Sequence, residues 1–215
     1  MIFFENLRRF KKKFINKTNI RVSRCINFGS QTANYYFKNL LKKSNYYFEY
    51  GSGSSTLYAS DQKKDYISIE LDKLFYKKIK KVTKNEKIKF INVGIVGEYS
   101  YPLFIQKKKF LKYIKSIELY SRKKKFPDLI LIDGRFRVAC LLFIFSILKK
   151  KKFKTNIILD DYFNRPHYSV LKNFYRIKKV GRMAILKPKV KKFDKNLLNK
   201  YILDPRWIFV IYQIL

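Results

Sequence analysis

The stretch that most constrains this chain runs Tyr46-Tyr47-Phe48-Glu49-Tyr50-Gly51-Ser52-Gly53-Ser54-Ser55-Thr56. An apolar run enters two glycines and then a Ser/Ser/Thr cluster. That pattern predicts a strand turning sharply into a helix N-terminus, with backbone N–H groups left facing a ligand. Tyr66-Ile67-Ser68-Ile69-Glu70 reads as a second strand ending in a carboxylate, 21 residues beyond Glu49. The spacing holds one turn, one helix and one strand. A carboxylate there suits the two hydroxyls of a ribose, because an ionised acid accepts two hydrogen bonds at once. Together these signals point to a nucleoside-bearing cofactor.

Thr56 stands where a dinucleotide fingerprint wants its third glycine, so close approach of a pyrophosphate is poorly provided for. Glu49, two residues before the first glycine, is placed to hold a cationic amino group. These details favour a cofactor with an amino acid and a ribose but no pyrophosphate. Here the chain resembles the class I S-adenosylmethionine-dependent methyltransferases, whose first strand ends in an acid followed by glycine-x-glycine and whose second strand closes on an acid. The resemblance implies S-adenosylmethionine lying over Gly51, Ser52 and Gly53. Ser55 and Thr56 would open the helix beside it, Glu70 would bind the ribose, and Glu49 would lie near the methionine amino group. It covers about residues 46–187.

The rest of the chain alternates accordingly. Helical stretches over roughly Phe3–Phe14 and Gln31–Lys43 precede the first strand. Later strands are expected at Ile88–Val93, Asp128–Asp133 and Asn156–Asp160. Helices are expected over Asp72–Thr83, about Ile105–Leu119, Arg137–Leu148 and roughly His167–Tyr175. Arg176–Val180 and Met183–Lys187 flank Gly181-Arg182, a hairpin signal. The expected fold is an α/β, Rossmann-like doubly wound sheet, mostly parallel with a C-terminal antiparallel hairpin and preceded by N-terminal helices. The closing hairpin also separates the methyltransferase sheet from an ordinary dinucleotide fold. The organisation is an N-terminal helical extension (1–44), the sheet domain (45–190) and a C-terminal extension (191–215) packed on it. Trp207–Tyr212 reads either as an added strand or as an interface.

Charge demands a decision, because the 215 residues carry a net +35. Hydrophobic content of 47% argues against disorder all the same. The lysine runs are scattered over helix flanks and loops, and they keep company with abundant Ile, Asn, Phe and Tyr, as an adenine/thymine-rich genome would give. Scattered charge makes a field without a defined patch, so nucleic acid is a possible partner but not the favoured one. The longest apolar run, Val138–Leu148, is too short to span a membrane and reads as a buried helix. Met1–Phe4 meets Glu5 and basic residues, which predicts no signal peptide. The amphipathic leader Phe3–Ile15 allows weak membrane-surface contact. Cys25 and Cys140 lack metal-ligand spacing, and a cytoplasmic location is expected.

Six of the fifteen acids fall at or just past expected strand C-termini: Glu49, Glu70, Asp72, Asp133, Asp160 and Asp161. That edge is where an open α/β sheet binds its ligand; Asp72 reads best as a helix N-cap. The strands Asp128–Asp133 and Asn156–Asp161 resemble those of metal-dependent O-methyltransferases. That likeness implies Asp133, Asp160 and Asp161 as ligands of Mg²⁺, which would orient a substrate hydroxyl and lower its pKa. Against this, Arg135 or Arg137 is placed to neutralise the same carboxylates. His167, the only histidine, and Asp133 are the candidate catalytic groups, His167 as general base. Arg135, Tyr162 and Arg165 are the candidate substrate contacts. The leading reading is O-methylation of a small molecule or glycan. The rivals are an RNA methyltransferase, a non-catalytic binding protein of the same fold, and a nicotinamide enzyme.

Overall fold

The computed structural model describes residues 22–84, 86–121, 126–150, 153–190, 193 and 195–203. The expected leader helix Phe3–Phe14 and the apolar segment Trp207–Tyr212 lie outside the described residues. The elements run α1 (Gln31–Lys43), β1 (Tyr47–Tyr50), α2 (Ser54–Asp61), β2 (Tyr66–Glu70), α3 (Lys73–Thr83), β3 (Ile88–Phe90), α4 (Lys107–Ile114) and α5 (Ser116–Tyr120). They continue with β4 (Leu129–Ile132), α6 (Arg137–Lys150), β5 (Asn156–Leu159), a 3₁₀ helix (Pro166–Asn173), β6 (Tyr175–Val180), β7 (Met183–Pro188) and α7 (Lys195–Ile202).

The strands form one sheet in the order β3-β2-β1-β4-β5-β7-β6. Every pairing is parallel except those of β7, which runs antiparallel to both β5 and β6. β1 and β4 are side by side, so the strand order reverses between them; a ligand crevice opens at the carboxyl ends of strands at such a point. One face of the sheet packs Ala33, Phe37 and Leu41 of α1, Leu57 of α2 and Ile79 of α3. The other packs α4, α5, α6 and α7. α6 is buried continuously from Arg137 to Phe145, which is why its sequence is apolar on every side. Among the described residues no helix is long and apolar enough to cross a membrane.

Three elements depart from the sequence reading. β3 stops at Phe90 because Asn92 turns the chain, its Oδ1 accepting from the Gly94 N–H at 2.8 Å. The helix expected over Ile105–Leu119 breaks at Lys115. There the buried Tyr50 hydroxyl donates to the Ile114 carbonyl at 2.7 Å and accepts from the Ile117 N–H at 3.4 Å. A side chain from β1 therefore satisfies backbone groups that the break sets free. The helix after β5 is a 3₁₀ helix started by Pro166. α1 matches its expected bounds, and Asp72 caps α3 by accepting from the Leu74 and Phe75 N–H groups at 2.9 and 3.1 Å.

Candidate active site

The turn after β1 is held from within. Glu49 is fully buried, and its carboxylate accepts from the Tyr47 hydroxyl at 2.5 Å, from Ser55 Oγ at 2.8 Å and from Thr56 Oγ1. Burial pushes its pKa up, against the pull of these hydroxyls. Glu49 therefore does not present its charge to the open edge. Ser55 and Thr56, expected beside the cofactor, also turn their hydroxyls inward. Thr56 Oγ1 additionally accepts from the Gly53 N–H at 2.8 Å, so threonine at the third-glycine position closes the turn.

Gly51 has φ +91°, and a β-carbon there would lie 2.6 Å from the Gly134 nitrogen. Glycine is required at this position twice over, by conformation and by the approach of the β4 loop. A β-carbon on Gly53 would meet nothing within 4 Å, so the turn opens into free space there. Glu70, at the end of β2, is 5% exposed. It accepts from the N–H groups of Ser52 at 3.1 Å, Leu71 at 2.7 Å and Asp72 at 2.8 Å. Burial outweighs those donors and raises its pKa to about 7. Three of its roughly four acceptor positions are thus spent on backbone, which leaves one for a ligand. Beyond it a cavity of about 250 Å³ is lined by Leu71, Asp72, Leu74, Phe90, Asn92 and Val96. Nothing in the sequence singled out Asn92 or Gly94, whose signal was only a short Asn-x-Gly turn after the third strand.

At the ends of β4 and β5 the three aspartates converge, with Asp133, Asp160 and Asp161 offering oxygens within 4.8 Å of one another. Three guanidiniums meet them. Arg182 grips the fully buried Asp160 bidentately, Nε to Oδ1 at 2.9 Å and Nη2 to Oδ2 at 2.8 Å, and its Nε lies 3.2 Å from Asp161. Arg137 donates to Asp133 Oδ1 at 2.9 Å and to the backbone carbonyls of Asp133, Gly134 and Asp160, fastening the two strand ends together. Arg165 reaches Asp161 at 3.3 Å. The spacing of the aspartates would suit a hard cation, but the donor set does not. A dication would stand against three guanidiniums already bound to its ligands. The Mg²⁺ expectation does not fit these residues.

Asp133 remains a third exposed, and its pKa is raised to about 6: removal from water pushes it up, Arg137 pulls it back, and Asp160 and Asp161 push it up again. Of the two arginines expected to neutralise the acids, Arg137 does so and Arg135 does not. Arg135 donates from Nε to the Tyr99 carbonyl at 2.7 Å and lies over the Tyr101 ring, 4.2 Å from its centroid. Tyr162, expected to grip substrate, is 5% exposed and packs its ring against Phe163 at 5.0 Å, so it belongs to the core. His167 is half-buried in the first turn of the 3₁₀ helix, edge-on to Tyr168. Sequence reasoning missed Arg182, read only as part of a hairpin turn, and Gly134, the partner of Gly51.

No family profile matches the chain. A methyltransferase-like protein from Silicibacter pomeroyi superposes with a TM-score of 0.67 at 20% identity, covering 84% of this chain and 98% of that one. The chain shares the Rossmann-like fold of that methyltransferase-like protein. An O-methyltransferase from Bacillus cereus in complex with SAH superposes more loosely, with a TM-score of 0.47 at 14% identity over 86% of this chain and 90% of its own. In sequence, a stretch of 89 residues is 39% identical to tRNA pseudouridine synthase B of Wigglesworthia glossinidia brevipalpis, covering 41% of this chain. The chain spans about a quarter of that enzyme's length. In the methyltransferase fold, the Gly51–Gly53 turn, the cavity beyond Glu70 and the Asp133 cluster share the carboxyl edge of the sheet, around the reversal between β1 and β4.

Proposed function

We propose that the chain is an S-adenosylmethionine-dependent methyltransferase acting on an oxygen of a small molecule or glycan. What supports this most is the open glycine turn at the strand-order reversal, between an open cavity of about 250 Å³ and a carboxylate whose pKa is near 6. The residues fit the donor. Gly51 and Gly53 leave the backbone bare, Glu70 keeps one acceptor position for a ribose hydroxyl, and the cavity past β2 and β3 takes the base. When bound, S-adenosylmethionine supplies a methyl group on a sulfonium.

The chain's own residues do the rest. The Gly51–Gly134 contact sets the distance between the donor turn and the β4 end, and so the line of approach of the acceptor oxygen. Asp133 would take the proton of the acceptor hydroxyl as its oxygen gains the methyl group and the S–C bond of the donor breaks, leaving a neutral thioether; a pKa near neutrality suits that proton transfer. Arg137 holds Asp133 in place and balances its charge before transfer. His167 is the alternative base.

The test is calorimetric titration of S-adenosylmethionine and of NAD⁺ into the purified protein, with and without Mg²⁺. Micromolar binding of S-adenosylmethionine, indifferent to Mg²⁺, is expected. Binding of NAD⁺ alone would overturn the reading. A nucleic-acid acceptor is the second reading, favoured by the net charge of +35.

A further inference from the structure

Among the described side chains, four guanidiniums at the carboxyl edge of β4 and β5 face three carboxylates. Arg137, Arg165 and Arg182 are each paired with Asp133, Asp160 or Asp161. Arg135 is the surplus, and no carboxylate pairs with it among the described residues. In a chain with 35 more cations than acids an unpaired cation is ordinary, so the type of residue matters. The chain has 39 lysines and 11 arginines. Of the six arginines in the described residues, four stand at this one edge. Where composition drives basic positions to lysine, an arginine marks a place that uses a planar fork of donors.

Arg135 is also held in a fixed orientation. Its Nε donates to the Tyr99 carbonyl at 2.7 Å, and its Cζ lies over the Tyr101 ring, 4.2 Å from the centroid. Both tyrosines belong to the segment between β3 and α4, which reaches across to the β4 end. With Nε committed, Nη1 and Nη2 have no acceptor among the described side chains and are left to donate, the arrangement that binds a carboxylate or phosphate bidentately. Arg135 lies two residues past Asp133, the proposed base, in the loop that follows β4 and not on the Gly51–Gly53 turn. An anion on Arg135 would therefore belong to the molecule being methylated rather than to the methyl donor.

We propose that the acceptor carries an anionic group, a carboxylate or a phosphate, and that Arg135 is the residue that takes it. This rests on the methyltransferase reading, and it makes Arg135 the residue that selects the acceptor.

Inorganic phosphate is the probe, titrated at constant ionic strength while the arginine Nε–Hε resonances are followed by NMR. The resolved signals separate one site from diffuse binding to lysines. The Arg135 signal is expected to shift saturably in the wild type. Arg135→Gln should weaken the phosphate affinity at least tenfold, and Arg135→Lys should restore only part of it, charge without the fork. Calorimetry with S-adenosylmethionine should give the same affinity for wild type and Arg135→Gln within twofold. An Arg135 signal indifferent to phosphate overturns the proposal. A tenfold loss of S-adenosylmethionine affinity in Arg135→Gln also overturns it, by assigning the guanidinium to the donor's carboxylate. Failure of S-adenosylmethionine to bind the wild type would instead reject the methyltransferase reading on which the proposal rests, whatever phosphate does.

Discussion

Gly51 and Gly134 meet backbone to backbone: a β-carbon on Gly51 would stand 2.6 Å from the Gly134 nitrogen and 2.7 Å from its α-carbon. Gly51 is also held at φ +91°, whereas Gly53 is extended and has open space where a side chain would project. The two glycines of one turn thus have different duties.

The pair can be separated by substitution. Gly51→Ala should destabilise the fold by roughly 3 kcal/mol, combining a left-handed backbone with a clash against main chain that cannot swing away. Gly53→Ala should leave stability within about 0.5 kcal/mol of wild type. Its methyl would enter the donor's space, however, so S-adenosylmethionine affinity should fall at least tenfold. Urea denaturation and calorimetry on both variants check this. Equal stability losses would show that the turn has no open side.

Glu70 should make stability depend on pH. Its folded pKa of about 7 lies above the value near 4.3 expected in the unfolded chain. Between those values the folded state keeps a proton that the unfolded state has lost, so stability falls as pH rises through that window and levels off above about 7. The span corresponds to roughly 4 kcal/mol. Denaturation of wild type and Glu70→Gln at pH 5 and pH 7.5 reads it as the change in their difference. A difference that does not move with pH would place the titration elsewhere.

Removing a guanidinium from the acid cluster should hurt more than removing metal ions. Arg182→Met leaves the wholly buried Asp160 without its bidentate partner, and about 3–5 kcal/mol of stability should be lost. Exhaustive chelation should change neither the melting temperature nor methyl transfer. Asp133→Asn should reduce turnover by roughly 10²–10⁴-fold, the ordinary worth of a general base, with S-adenosylmethionine binding nearly intact. Activity that dies with EDTA and returns with Mg²⁺ would reinstate a metal.

The scattered lysines should bind RNA without discrimination. Affinity for a structured RNA and for an unrelated sequence should be equal, and both should fall by orders of magnitude between 50 and 200 mM salt, as counterion release dictates. Filter binding across that range decides it. Nanomolar affinity for one structured RNA at physiological salt would move a nucleic-acid acceptor to first place.

What this sequence determined by itself was whatever depends on neighbours along the chain. The alternation of strands and helices, the bounds of α1, the cap of α3 by Asp72, the buried run of α6 and the closing hairpin are all local patterns, and all stand in the fold. So does the gathering of acids at one edge, because every parallel strand delivers its last residue to the same side. Tertiary structure alone decided what each of those acids does. Glu49 and Glu70 were legible as carboxylates beside a glycine turn, but the hydroxyls of Ser55 and Thr56 and the amides of Ser52, Leu71 and Asp72 draw them inward. Asp160 looked like a metal ligand until the hairpin turn brought Arg182 from 22 residues away to pair with it. The helix break at Lys115 depended on the hydroxyl of Tyr50, 64 residues before the Ile114 carbonyl it binds. Burial of a charged or polar group is stable only with a partner, and a partner this distant in sequence is chosen by the packing of the sheet and not by any local pattern.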